Sequence, residues 1–377
     1  MYAKDFVNEM GRIGIHSLVG IPDSTLRELC SYISTTDEIK LMHYTPANEG
    51  AAVGIAIGNY LATGSPSCVY MQNSGIGNAI NPLTSLSHRD VYGIPMLLVI
   101  GWRGEPGIYD EPQHKFMGKI TREILSCLEI KSTIIDSKVE PLQIRHIFDE
   151  AKEEMYRNRQ YAIIIKRDTF TGTAGKYFTN SHTLKREDAI RNITKFLNQE
   201  DVIVSTTGKI SRELYEIDEK LNGNHKRDFL TVGGMGHASM IAFGLAVHKS
   251  QGHVYCLDGD GAVLMHMGAL PFLGKEKPSN LIHVCLNNEA HESVGGMPTG
   301  AAGVTYADIA ASCGYEKTYT VNDLIGLREC MVKICKSTEL TFLEVKVAMY
   351  SRNDLGRPKE STYENKNGFM NYYKGDK

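Results

Sequence analysis

The chain has 377 residues, 42% of them hydrophobic and 23% charged, with a formal net charge of -3. These proportions are ordinary for a globular protein, and the length suits two domains with sizeable cores. They exclude the basic footprint of a nucleic-acid binder, and no apolar run reaches the roughly 18 residues that a membrane span needs.

The first fifteen residues mix charge with apolar side chains at helical spacing and show no apolar h-region, so a cytoplasmic location is expected. The first candidate cap is Asp23-Ser24, ahead of a helix starting near Thr25. Residues 51–62 read as a helix rich in small side chains, closed by Gly64. Residues 96–100 (MLLVI) and 163–165 read as strands buried on both faces, as in a parallel sheet. Residues 168–184 are rich in Gly, Thr and Ser, and KREDAI then opens a new helix. We therefore expect one domain over 1–170 and a second over 184–377, with no room for a middle domain. In the second half, residues 202–204, 254–257, 281–286 and 342–347 read as further buried strands. Strand-helix alternation throughout predicts an α/β class, with two doubly wound parallel sheets. Residues 50–58 (GAAVGIAIG) can be laid over residues 236–244 (GHASMIAFG), which suggests duplication of one domain. The eight cysteines show no CxxC spacing, which predicts buried free thiols rather than disulfides or a thiolate metal site.

The most informative stretch is Asp258-Gly259-Asp260-Gly261-Ala262, followed by Asn287-Asn288. Residues 262–286 lie between, enough for one helix (265–273) and one strand. Asp260 and Asn288 are thereby placed at the carboxyl ends of two parallel strands, where open α/β sheets bind ligands. Mg²⁺ takes hard oxygen ligands and shares them with phosphates. Asp260 offers a carboxylate, Asn288 an amide oxygen and Ala290 a backbone carbonyl. Gly259 and Gly261 admit phosphate close to the backbone, at the start of a helix. In the first half, Glu49 sits at a strand-to-helix turn, where a macrodipole alone would favour a carboxylate. Gly234-Met235-Gly236-His237 invites comparison with a dinucleotide loop, but lacks the GxGxxG spacing.

A GDG followed by NN at this interval resembles the signature of the thiamine-diphosphate-dependent enzymes. The resemblance implies thiamine diphosphate as cofactor, with Mg²⁺ held by Asp260, Asn288 and the carbonyl of Ala290. It implies further cofactor contacts from Thr207, Gly208, Gly234, Met235, Gly236, Gly259, Gly261 and Ala262, with Met235 as the apolar side chain beneath a bent cofactor. It makes Glu49 the carboxylate that meets the aminopyrimidine ring. The halves become a pyrimidine-binding and a diphosphate-binding domain, with sites shared in a homodimer or higher homo-oligomer.

Five stretches are similar to the phosphonopyruvate and sulfopyruvate branch of the thiamine-dependent decarboxylases: GIPDSTL (20–26), QNSGIGNAINPLTSL (72–86), GWRGEPG with DEPQH (101–114), NNEAHESVGGMPT (287–299) and DLGRP (354–358). This resemblance spans essentially the whole chain. It implies a carboxy-lyase that converts 3-phosphonopyruvate to 2-phosphonoacetaldehyde and CO₂ in phosphonate biosynthesis, with sulfopyruvate as the alternative substrate. Glu289 departs from the glycine usual in the branch. The small anionic 2-oxo acid would be met by Asp23, Gln72, Asn73 and Ser74, and by cationic candidates Arg89, Arg103 and His114. His88, Lys115, Arg352 and Arg357 add to that set, since guanidinium forks suit tetrahedral anions. Asp23 and His291 are the proton-transfer candidates. A non-catalytic subunit that keeps the fold is the alternative of another class, and the presence of Glu49, Asp260 and Asn288 argues against it.

Overall fold

The computed structural model describes residues 1–36, 41–172, 178–294 and 296–375. The chain divides into two compact units, Met1–Phe178 with Val294–Met297, and Thr179–Ser293 with Pro298–Lys377.

The strands of the first unit are β1 (Ser17–Gly20), β2 (Met42–Tyr44), β3 (Ser67–Gln72), β4 (Met96–Gly101), β5 (Lys131–Ile135) and β6 (Tyr161–Ile165). They form one parallel sheet in the order β2-β1-β3-β4-β6-β5. The second unit contributes β7 (Val202–Ser205), β8 (Asp228–Leu230), β9 (Val254–Gly259) and β10 (Leu281–Asn287). A short ribbon, β11 (Ala290–His291) with β12 (Met297–Pro298), follows β10, and β13 (Lys317–Val321) and β14 (Thr341–Lys346) complete the set. The second sheet is also parallel, in the order β13-β14-β10-β9-β7-β8. Leaving the ribbon aside and numbering each unit's strands from its own start, both sheets read 2-1-3-4-6-5.

The expected duplication therefore appears at the level of topology. The helix Glu49–Thr63 carries the echo in the first unit and links β2 to β3; the helix Ala238–Ala246 carries it in the second and links β8 to β9. Ala52, Val53 and Ala56 face the core, whereas Gly54 and Gly58 lie exposed on the outer face. Small size there does not serve packing on the sheet.

Local chemistry sets the element boundaries. Asn48 caps the helix Glu49–Thr63, its Oδ1 accepting from Ala51 N–H at 2.9 Å, and Gly64 ends it at φ 71°. Asp23 caps a 3₁₀ turn (Ser24–Leu26) through Thr25 N–H before the helix Arg27–Thr35 begins. β4, β6 and β10 are buried along their whole length, as their continuous apolar runs predict, and each fully buried Ile, Leu or Val contributes about 1.5–3 kcal/mol. The helix expected over 265–273 is instead two, Asp260–Met265 and Ala269–Glu276, broken at 266–268. All eight cysteines are free; Cys30, Cys68, Cys256 and Cys285 are buried as expected, whereas Cys313, Cys330 and Cys335 are half-buried and Cys127 is exposed at its helix end. Among the described residues no helix is long and apolar enough to cross a membrane.

Candidate cofactor and active site

In the first unit, Glu49 opens its helix with only 5% of its surface exposed. Its Oε2 accepts a hydrogen bond from Asn78 Nδ2 at 2.7 Å. Burial raises the carboxyl pKa, with Asn78 working against the shift. The pocket admits no side chain at Gly75, where a Cβ would fall 2.3 Å from Glu49 Oε1. Glu49 is thus a poorly solvated carboxyl that holds a proton more tightly than a surface glutamate does.

The carboxyl ends of β1, β3 and β4 gather a second group. Asp23 is fully buried; its Oδ2 accepts from Thr25 N–H at 2.9 Å and its Oδ1 from Gln72 Nε2 at 2.6 Å. Gln72 Oε1 in turn accepts from the Ser74 hydroxyl at 2.7 Å. Asn73 turns inward: its amide donates to the Arg103 carbonyl at 2.8 Å and to Thr121 Oγ1 at 2.9 Å, which holds the Arg103 loop. Arg103 is gripped by Asp110 through Nε at 2.8 Å and Nη2 at 2.5 Å, leaving Nη1 to reach Ser24 Oγ at 3.0 Å. Burial opposes ionisation of Asp110, yet the Arg103 fork and two backbone N–H groups hold its carboxyl well below the usual range. His114 is pushed down to about 4 by burial and by the nearby Arg103 charge, so it is neutral at pH 7. Arg89 stands apart from this group, paired with Glu129 at 3.2 Å. Arg352 is held by Glu187 at 2.8 Å and by Glu216.

In the second unit, the loops after β7, β9 and β10 converge. Asp260 is 3% exposed. Burial raises its pKa to about 6, against hydrogen bonds from the Thr299 hydroxyl and the backbone N–H groups of Gly261 and Asn288. The Thr299 bond to Asp260 Oδ2 is 2.5 Å, and Tyr306 donates to the Asp260 carbonyl at 3.2 Å. These contacts bring Asp260 and Asn288 together, as their placement at adjacent strand ends predicts. Met235, His291 and Thr299 surround Gly261, where a Cβ would lie 3.2, 3.3 and 3.4 Å from them respectively. Burial lowers the His291 imidazole to about 4, so it is neutral at pH 7. Gly208 has φ 102° at the start of the helix Lys209–Asn222, and Thr207 Oγ1 donates to the Val232 carbonyl at 2.8 Å. Gly234 and Gly236 also have positive φ, at 62° and 87°. A separate trio, Cys256, Asp258 and His283, lies buried on one face of β9 and β10. There His283 bonds Tyr315 at 3.1 Å and Asp258 at 3.4 Å.

Sequence reasoning missed Asn78, Gly75, Thr299, Asn180 and Glu292. Asn180 Nδ2 donates to the Asn288 carbonyl at 2.8 Å, and Glu292 Oε2 accepts from Asn288 Nδ2 at 3.0 Å. Gly75 and Asn78 lie within the stretch 72–86, and Thr299 and Glu292 within 287–299, both of which carried the resemblance, and that was the available signal.

Glu289 occupies the left-handed region at φ 61°. It sits between Asn288 and Ala290, with its Oε1 3.3 Å from His182 Nε2. A side chain in this conformation costs about 1 kcal/mol relative to glycine. Glu289→Gly is therefore expected to raise the urea midpoint, by roughly 0.5–1 kcal/mol of stability, whereas Glu289→Ala, which keeps the Cβ, is not.

Comparison with known proteins agrees with this layout. The N-terminal TPP binding domain of thiamine pyrophosphate enzymes matches residues 2–123, and the C-terminal TPP binding domain matches residues 213–345. The phosphonopyruvate decarboxylase of Streptomyces viridochromogenes is 31% identical over 96% of this chain and 92% of its own. That of Streptomyces hygroscopicus is 30% identical over 96% and 91%. The sulfopyruvate decarboxylase of Methanosarcina acetivorans is 32% identical over 89% and 88%. With two TPP-binding domains on two parallel α/β sheets and full-length likeness to these decarboxylases, the chain belongs to the thiamine-diphosphate-dependent decarboxylase family, in its phosphonopyruvate and sulfopyruvate branch.

Proposed function

We propose that this protein is a carboxy-lyase that converts 3-phosphonopyruvate to 2-phosphonoacetaldehyde and CO₂. The observation that carries the reading is the likeness, over 96% of the chain, to two proteins named for that activity. Thiamine diphosphate supplies the electron sink that lets the carboxylate leave as CO₂. The donor set suits a diphosphate bridged by Mg²⁺. Asp260 and Asn288 offer hard oxygens, as does the Ala290 carbonyl, and Gly259, Gly261 and Ala262 bring backbone close. Thr207, Gly208, Gly234, Met235 and Gly236 would complete the cofactor's bed.

The chain's own residues then have separable tasks. Glu49, whose pKa is raised by burial, is the carboxyl that would share a proton with a ring nitrogen of the bound cofactor. The overall reaction breaks one C–C bond and forms one C–H bond, so one proton must be delivered to carbon. Asp23, linked to Gln72 and Ser74, and His291 are the candidate relays for that proton. Arg103, oriented by Asp110, is the candidate partner for the phosphonate. Arg103→Lys is expected to raise KM for phosphonopyruvate about tenfold or more with a smaller change in kcat, because an ammonium cannot replace the oriented fork.

The reading includes a cytoplasmic homo-oligomer, at least a dimer. Supporting it, the outer face of the helix Glu49–Thr63 is small and apolar, with Gly54, Ile55, Gly58 and Leu61 exposed, and the equivalent helix in the second unit exposes Ile241. Glycines on an exposed helix face let another backbone approach closely.

The test is CO₂ release from phosphonopyruvate, sulfopyruvate and pyruvate, with and without cofactor and Mg²⁺. The reading predicts cofactor-dependent turnover with phosphonopyruvate preferred. A clear preference for sulfopyruvate would transfer the assignment to the alternative, and cofactor binding without CO₂ release from any of the three would overturn both.

A further inference from the structure

We infer that Glu292 is a positioning residue that sets the orientation of the Asn288 amide. The inference rests on the reading of Asp260 and Asn288 as cation ligands, and concerns how this chain prepares them.

An asparagine can coordinate a cation only through its amide oxygen, and its two ends are nearly alike in size. Something must decide which end faces the ion. Both ends of the Asn288 side chain and its backbone carbonyl have partners. Its backbone carbonyl accepts from Asn180 Nδ2 at 2.8 Å. Its Nδ2 donates to Glu292 Oε2 at 3.0 Å, and its Oδ1 accepts from Ala290 N–H at 3.2 Å. Flipping the amide would set Oδ1 against the Glu292 carboxylate and Nδ2 against the Ala290 N–H. Both contacts would then be repulsive, so the carboxylate selects the orientation with the oxygen turned away from it. That oxygen keeps a lone pair beyond the one used by Ala290.

Glu292 is itself fixed. Its Oε2 also accepts from Arg186 Nη1 at 2.6 Å, and its Oε1 accepts from Lys209 Nζ at 3.1 Å. Arg186 is clamped on its other side by Glu213 at 2.8 and 2.9 Å, and both are almost fully buried. Lys209 also donates to Ser351 Oγ at 2.6 Å. Two cations and two carboxylates balance one another, so the buried network carries no net charge. Through Glu292 the network joins the loop after β10, which carries Asn288, to the first residue of the helix that follows Gly208. Partners of metal ligands commonly govern affinity by 10–100-fold.

The test measures the Mg²⁺ concentration at half-saturation of thiamine diphosphate binding by calorimetry, in the full-length protein. Glu292→Gln, whose amide can present an N–H as well as an oxygen to Asn288, is expected to raise that midpoint about 10–100-fold. Glu213→Gln is the comparison. It disturbs the same buried network and lowers thermal stability, but leaves the Asn288–Glu292 bond in place, so its midpoint should stay within about twofold of wild type. Glu292→Asp, which keeps the charge, should recover part of the loss. An unchanged midpoint in Glu292→Gln, or an equal rise in Glu213→Gln, would overturn the inference while leaving the ligand assignment intact. Wild-type binding that needs no divalent cation would instead remove the assignment on which it rests.

Discussion

Glu49→Gln is expected to lower kcat for CO₂ release by about 10²–10⁴-fold while the protein stays folded and still binds thiamine diphosphate. That range is the contribution typical of a positioned general acid–base group. The substitution preserves shape at the helix start and removes only the titrating proton. Its size follows from the environment: a buried carboxyl with one amide partner and a raised pKa has no solvent to replace its function. Gly75→Ala should produce a comparable loss without replacing any ionisable group, because the added methyl would lie 2.3 Å from Glu49 Oε1 and displace the carboxyl. Circular dichroism and cofactor titration separate this outcome from unfolding. Full activity in Glu49→Gln would remove Glu49 from the mechanism.

Asp260→Ala is expected to weaken cofactor binding at least 100-fold at millimolar Mg²⁺, read by calorimetry, since it deletes the only anionic group among the proposed ligands. The wild type should show a matching pH dependence. Asp260 titrates near 6, above the ordinary carboxylate range, because it is buried. A cation must displace its proton below that pH, so apparent Mg²⁺ affinity should fall up to tenfold per unit as pH drops below about 6 and level off above it. The sign for the metal-free protein is opposite. A carboxyl whose folded pKa is raised keeps its proton in the folded state while the unfolded chain loses it. Stability therefore falls as pH rises from about 4 to about 6, by at most about 1.4 kcal/mol per unit. Removing Mg²⁺ should lower the melting temperature more at pH 7 than at pH 5.

Much of this arrangement was legible in the order of residues. Asp260 and Asn288 belong to a linear pattern whose intervening strand and turn fix their positions at neighbouring strand ends. The buried strands β4, β6, β9 and β10 announce themselves as apolar runs. What stayed hidden has physical causes. The edge strands β2 and β8 are three residues long, too short for any period to show. β3 is buried although its sequence, SCVYMQ, mixes polar with apolar residues. The expected helix over 265–273 failed because apolar spacing continues across Gly268, where the backbone does not. The partners that tune the site are long-range: Thr299 meets Asp260 across 39 residues, and Asn78 meets Glu49 across 29. No local pattern encodes such pairings. Arg103 was legible as a cation near the substrate loops, but its commitment to Asp110 was not, and that contact decides which of its nitrogens remain available.

The most direct test is a crystal structure of the protein loaded with thiamine diphosphate and Mn²⁺ in place of Mg²⁺, with anomalous scattering locating the ion. The expected anomalous peak is bound by a carboxylate oxygen of Asp260, Oδ1 of Asn288 and the Ala290 carbonyl, with the Glu49 carboxyl against the pyrimidine ring. An ion held by other residues, or a pyrimidine ring out of reach of Glu49, would contradict the assignment.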